Sequence, residues 1–364
     1  MPPNSRDTPT GVLFESDVET VDGGLSKDVT TLKTTDGSRL QLVWFNIVLF
    51  VILHSASLYG VWLLLAEATW TTFLLFIPAV VTTILGVSGG AHRLWAHRTF
   101  KANTPLKLIF LFLNTLAFQD AVYFWARDHR VHHKFTETDG DPYNSQRGWF
   151  FSHIGWLCCR KHPEVVERGK QIDLSDLESD PLVMFQKKYY LLLMPIICFV
   201  LPTALPMYLW GESLNVSFHV MALLRWSTSL NLIWLVNSSA HMFGMKPYDK
   251  NICPVDQGFL IACRVGEGYH NYHHVFPWDY KSAELGKYSQ DVTTKFIDFF
   301  AYLGWAYDLK SVPLDLVRRR AERTGDGSHP VWGWGDKDQL KEDIGGTTIT
   351  HQRKARHYPD TQNT

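Results

Sequence analysis

The sequence predicts an all-α integral membrane protein: four transmembrane helices, arranged as two hairpins, with a cytosolic helical cap. Three observations predict it. The 46% hydrophobic content of the 364 residues is gathered into long blocks. Those blocks are nearly free of Lys and Arg, which crowd the segments between them. Histidines recur at helical spacing just outside the blocks.

Residues 1–38 are polar, acidic and glycine-containing, without a basic-then-apolar signal design, and read as a disordered cytosolic tail. Residues 42–66 form the first apolar run and 69–87 the second, each long enough for a hydrocarbon core of about 30 Å. A second pair, 191–210 and 216–240, is joined by the turn Gly211 to Asn215. Between Leu42 and His92 there is no Lys or Arg, and between Tyr189 and His241 only Arg225. The positive-inside rule then puts both hairpin turns in the lumen and the cap, 88–190 and 241–328, in the cytosol. Arg225, inside a span, either faces a cavity or snorkels to the luminal surface. Leu106 to Trp125 is apolar but interrupted by Asn114, Thr115, Gln119 and Asp120. Were it to cross, histidines before and after it would be separated by the membrane, so it reads as a re-entrant or interfacial helix. The domain spans 39–328, and 329–364 reads as a second disordered tail. Within it, Thr293 to Tyr307 is amphipathic and is followed by a basic run, Arg318 to Arg323, suited to anionic membrane lipid or an acidic partner.

A net charge of −1 gives no argument for nucleic acid. Five cysteines without paired spacing argue against a disulfide framework and for a reducing compartment.

His129, His132 and His133 are spaced i, i+3, i+4, as are His270, His273 and His274, so each triplet lies on one helical face and forms one side of a metal cage. Asn237 and His241, four apart, give the fourth span a similar face. His92 and His97 are five apart, about 140° around an α-helix, which predicts that one of them sits at a helix end after the loosening glycines Gly86, Gly89 and Gly90. Nine neutral imidazoles exceed the needs of one ion and suit two borderline divalent metals with open positions, a dimetal histidine site in the cap. Asp128, Glu137, Asp139 and Glu267 stand close enough in sequence to orient imidazoles through their second nitrogen. His54, His153, His162, His219, His329, His351 and His357 read as ordinary surface or core residues.

The runs His92-Arg-Leu-Trp-Ala-His97, His129-Arg-Val-His-His133 and His270-Asn-Tyr-His-His274 resemble the three histidine boxes of membrane-bound acyl-CoA desaturases of the stearoyl-CoA type. Asn114-Thr-Leu-Ala-Phe-Gln119, Trp125-Ala-Arg-Asp128, Asp141-Pro-Tyr-Asn144, Arg160-Lys-His-Pro163, Val236-Asn-Ser-Ser-Ala-His241, Lys246-Pro-Tyr-Asp249 and Arg323-Thr-Gly-Asp-Gly-Ser328 extend the resemblance, closest to the insect branch, over residues 39–328. It implies a diiron enzyme of the endoplasmic reticulum membrane, multi-pass with both termini cytosolic. Such an enzyme uses O2 and electrons from cytochrome b5 and its NADH-dependent reductase to place a cis double bond, at Δ9, in a long-chain fatty acyl-CoA. The nine histidines would hold two iron ions, with Asn237 reaching one through a water. Asn46, Arg127, Asp128, Arg160 and Lys161 would hold the CoA head group, and Gln119, Trp125 and Trp234 would line the acyl tunnel. Two positions depart from the pattern. Ile233 stands where Thr is usual, which bears on regioselectivity, and Phe45 stands where Arg commonly precedes Asn46. The rival readings are a diiron acyl hydroxylase, a desaturase of other regioselectivity such as Δ11, and a histidine-rich zinc transporter.

Overall fold

The computed structural model of the chain describes residues 41–263, 266–284, 291–329 and 341–348. The tail expected at 1–38 lies outside them, as does most of 329–364.

Helix α1, Trp44–Ala66, is followed by α2, Trp70–Ala96, with Thr69 capping it through a bond from the Thr72 amide. The second half of α2, Gly86–Ala96, is a π-helix. Close packing explains its glycines: a Cβ on Gly86 would lie 2.2 Å from the backbone of Leu113. That contact comes from α3, Thr104–Ala117, which breaks at 82° into α4, Val122–Phe135. The run expected to be a re-entrant or interfacial helix is bent at this break, where Phe118 and Asp120 take left-handed backbone. Short helices α5, Trp149–His153, and α6, Pro163–Lys170, lead to α7, a rod over Pro181–Trp210. Helix α8 runs over 214–242, with a π-helical segment at Ser217–Leu224. The remaining cap comprises α9, Gly258–Ala262; α10, His270–Val275; α11, Val292–Tyr302; and α12, Leu314–Thr324. One small antiparallel pair, β1 at Lys101–Ala102 and β2 at Ala306–Tyr307, ties the end of the cap to the start of α3.

Helices α1, α2 and α7 are each long and apolar enough to cross a membrane, or four spans if the bent pair α3 and α4 counts as one. The span expected at 216–240 is not among them. Its helix exists, but α8 carries Arg225, Ser227, Ser229, Ser238 and His241, all buried. Polar side chains turned inward lower a helix's average hydropathy without exposing anything polar to lipid. Its packing is that of an embedded helix, against Leu63 of α1 and Phe76, Val80 and Ile84 of α2 in one apolar cluster. Two of the other three expected spans prove longer than expected, α2 running on to Ala96 and α7 starting at Pro181.

Arg93, wholly buried on α2, ties the membrane layer to the cap. It donates to the carbonyls of Tyr280 and Gly266, to Asp291 and to Thr294. At the opposite end of the bundle, buried Glu212 accepts from the Thr69 amide and hydroxyl, 3.0 and 2.7 Å, and from Thr72, joining the turns of both hairpins. Replacing Glu212 with Ala strands these donors, and a loss of about 1–3 kcal/mol of stability follows. A lowered unfolding midpoint for Glu212→Ala in a detergent thermal melt, with Glu212→Gln intermediate, is the expected result.

Candidate metal centre

All nine histidines converge in one pocket beneath α2, α4, α8 and α10, in two groups whose nitrogens lie within 4.8 Å of one another. The first comprises His92, His97, His129, His133 and His273; the second, His132, His241, His270 and His274. The division corrects one expectation. The triplets are not each one side of a cage. The i, i+4 pairs His129/His133 and His270/His274 stay together, while the third member of each, His132 or His273, crosses to the other group. Each triplet thus bridges both groups, and the rings of His133 and His274 stack at 4.1 Å across the division.

The π-helical turn explains His92 and His97. In a π-helix the backbone bond reaches five residues, so residues five apart stack above one another. The His97 amide donates to the His92 carbonyl at 3.0 Å, and His97 is at the helix end, as the spacing predicts.

The Nε2 atoms face each other closely. His92 and His273 stand at 3.0 Å, His273 and His133 at 3.0 Å, His97 and His129 at 2.9 Å. In the second group His241 and His270 stand at 3.0 Å, and His274 and His270 at 3.1 Å. Metal–imidazole bonds of about 2.0–2.1 Å place ligands at right angles about 3.0 Å apart. Hydrogen-bonded carboxylates on the far nitrogens set the tautomer of His132 and His241, and Glu267 faces His92 at ion-pair distance. His132 Nδ1 lies 2.9 Å from Asp141, His241 Nδ1 2.7 Å from Glu137, and His92 Nδ1 3.2 Å from Glu267. With the ring proton at Nδ1, the Nε2 lone pairs point inward and repel unless a cation lies among them. His132 Nε2 is buried with no hydrogen-bond partner, as such a ligand atom would be. A set of nitrogens without thiolates suits a borderline divalent metal.

The electrostatics agree. Burial, then mutual repulsion, holds His97, His270, His273 and His274 well below the ordinary imidazole pKa. Burial alone would raise the Glu267 carboxyl, but His92, Arg93 and Ser88 hold it down at about 2. Of the expected orienting acids, Glu137 and Glu267 sit on imidazoles. Asp139 instead pairs with Arg147 at 2.7 Å, and Asp128 with Arg127 and Lys161. Asp141 was not read as an orienting acid. Its signal is the Asp141-Pro-Tyr-Asn144 turn, whose Tyr143 amide, with the amide of Glu137 upstream, holds the carboxylate under His132.

Asn237 lines a small void with His92, His129 and His270, and of these four Asn237 and His129 also face a cavity of about 400 Å3. Gln119, Trp125, Asp128, Lys161 and Trp234 line that larger cavity, together with Phe118, Trp226, Leu230 and Ile233. Trp125 stacks on His129 at 4.8 Å, and Trp234 is 3% exposed, which excludes a surface belt role for it. A second cavity, about 680 Å3, shares Asp128 and Lys161 and adds Arg127, Tyr123 and Lys170. Asn46 and Arg160 are not among the residues lining either. Asn46 donates to the Leu157 carbonyl at 2.7 Å, and the Arg160 amide to Gln41. Arg225 is 1% exposed, which overturns the luminal snorkel. His54, His153, His162, His219 and His329 are all engaged in ordinary hydrogen bonds. His351 and His357 lie outside the described residues.

Residues 68–296 match the family model described as Fatty acid desaturase. The chain is 55% identical to the acyl-CoA Delta-9 desaturase of Acheta domesticus, covering 97% of this chain and 99% of that one. It is 54% identical to the acyl-CoA Delta12-desaturase of the same species, covering 96% and 99%. To the acyl-CoA Delta(11) desaturase of Spodoptera littoralis it is 49% identical, covering 88% and 94%.

Two outcomes follow. Asp141→Asn lowers metal affinity about 10–100-fold in chelator competition, whereas Asp139→Asn leaves it unchanged. The depressed imidazoles bind protons less readily in the folded chain than in the unfolded one, so stability is unaffected above about pH 6.5 and is lost as pH falls below it. Metal retained after gel filtration falls over the same window.

Proposed function

The chain belongs to the fatty acid desaturase family, and on that premise we propose that it is a diiron acyl-CoA desaturase that places a cis double bond at Δ9 of a saturated long-chain acyl-CoA. The observation that carries the reading is the continuity of the histidine pocket with a largely apolar cavity that shares Lys161 and Asp128 with a second, basic cavity. His129 and Asn237 stand at the cavity wall beside Trp125 and Trp234, while Lys161 and Asp128 belong both to this cavity and to the basic one.

Bound iron supplies the oxidant made from O2, with electrons from cytochrome b5 and its NADH-dependent reductase. The chain's own residues do the rest. Nine histidines, His92, His97, His129, His132, His133, His241, His270, His273 and His274, hold the two ions, with Asn237 at the void between groups. Arg127 and Lys161 serve the CoA phosphates, trading their contacts with Asp128 for stronger charge-assisted ones. Arg160, next along the chain, adds charge. Saturated methylenes offer no polar handle, so cavity shape and head-group clamping together decide which carbons reach the centre. Burial keeps water from the reacting carbons. The membrane is that of the endoplasmic reticulum, crossed four times by α1, α2, α7 and α8, with both termini cytosolic. The near-absence of Lys and Arg from both hairpins supports that orientation.

A Δ11 outcome is the second reading. Relatives named for Δ9, Δ12 and Δ11 are similarly close, and Ile233 lines the cavity where the family pattern has Thr.

Expression in a yeast host lacking its own desaturase, with mass-spectrometric location of the double bond, tests the reading. Rescued growth with Δ9 products is expected. Δ11 products favour the second reading, and hydroxylated chains exclude both. His132→Ala abolishes product while leaving chain in the membrane.

A further inference from the structure

Arg225 is a buried charge deep in α8 with no carboxylate among its contacts, yet every N–H of its guanidinium has an acceptor. Nε donates to the Met221 carbonyl at 2.8 Å. Nη1 donates to Thr83 Oγ1 at 2.8 Å and to the Leu116 carbonyl at 3.2 Å. Nη2 donates to the Cys198 carbonyl at 2.9 Å and meets Cys198 Sγ at 3.5 Å. That exhausts the five donors of the group.

The acceptors are available for identifiable reasons. In the π-helical segment the Arg225 amide bonds to the carbonyls of Val220 and Ala222, while its side chain takes the Met221 carbonyl between them. Pro202, four residues beyond Cys198, has no amide to offer that carbonyl. Leu116 is in the last turn of α3, where carbonyls lack helical partners. One side chain thus gathers loose carbonyls of α3, α7 and α8 and a hydroxyl of α2.

What it gathers is the far wall of the cavity. Along α8 the cavity-lining residues run Asn237, Trp234, Ile233, Leu230, Trp226, so Trp226 is the one farthest from the metal centre. Trp226 follows Arg225, stacks on Phe118 at 4.7 Å and 16°, and points its indole N–H at the Phe118 carbonyl, 3.4 Å away. Phe118, two residues beyond Leu116, is left-handed at φ 45°, as is Asp120 at φ 81°. Such backbone persists only where its surroundings over-determine it. We propose that Arg225 is a positioning residue for desaturation: by pinning Leu116 and Cys198 against α8 it fixes the Phe118–Trp226 wall, and with it how far an acyl chain advances past the metal centre.

The inference rests on the desaturase reading, and wild-type product separates the two. If wild-type protein makes no double bond, that reading fails. If it does, the variants decide. Full-length protein in yeast microsomes is given saturated acyl-CoAs of increasing chain length, and double-bond positions are located. Arg225→Lys, which keeps charge but loses the fork, is expected to raise the share of displaced double bonds about tenfold, equivalent to about 1.4 kcal/mol of positioning. Thr83→Val removes one acceptor outside the cavity and is expected to shift the share in the same direction by less. It decides the matter if Arg225→Lys does not accumulate. Glu212→Ala, destabilised at the opposite end, keeps the wild-type position. Unchanged position and chain-length preference in the Arg225 and Thr83 variants, or an equal shift in Glu212→Ala, overturns the proposal.

Discussion

The inward convergence of imidazole lone pairs is the constraint on which the rest of the structure depends. Neutral rings with Nε2 atoms near 3.0 Å are tolerable only with cations among them or protons shared between them. Burial and mutual repulsion disfavour additional protons, and the all-nitrogen pocket suits metal ions. The fold is organised to hold that arrangement. Asp141, Glu137 and Glu267 hold the outer nitrogens, and Arg93 locks Glu267 and Asp291 into the same polar seam between α2 and the cap. The π-helical turn of α2, admitted by glycines that let α3 approach its backbone, brings His92 and His97 onto one side.

Much of this was legible in the sequence, for definite reasons. Lipid requires long uncharged runs, so α1, α2 and α7 stand out by composition alone. Helical spacing aligns i with i+3 and i+4, so the pooling of nine histidines could be read from their intervals. The division of each triplet could not. His132 and His133 sit on the same face but about 100° apart, and whether that angle joins them in one group or separates them depends on where the neighbouring helices stand. Asp141 escaped because a turn, not a periodic element, carries it to His132. Helix α8 was legible as a helix, but its inward polar face defeats a composition test. The fate of Arg225 depended on Cys198 and Leu116, distant carbonyls that no local pattern connects to it.

Helix α8 carries the main compromise of the molecule. Its end at the cap must be polar, supplying His241 to the histidine pocket and Ser238 to His153. Its middle must be apolar toward the cavity, through Leu230, Ile233 and Trp234. Farther from the cap it carries a charge, Arg225, that binds other helices through the Leu116 and Cys198 carbonyls and Thr83. A helix dedicated to lipid contact could be uniformly apolar. One that contributes to the metal centre, the cavity and the bundle cannot, which is why it is the least hydrophobic of the long helices and still among the most buried.

The two supports differ in kind, and the difference has a chemical consequence. The metal pocket is held by carboxylates and the guanidinium of Arg93, close to the cap. The far wall is held by carbonyls and the guanidinium of Arg225, within the bundle. The polar partners of Arg225 include none of the nine histidines or their acids. Sites without shared partners tend to respond independently to substitution. The position of the wall can therefore drift while the oxidising centre stays intact, and a family built this way can change which carbon pair it attacks without relearning how to attack. Close relatives bearing Delta-9, Delta12 and Delta(11) names are what such an architecture leads one to expect. The histidine pocket determines that an acyl chain is oxidised, and the wall beyond it determines where.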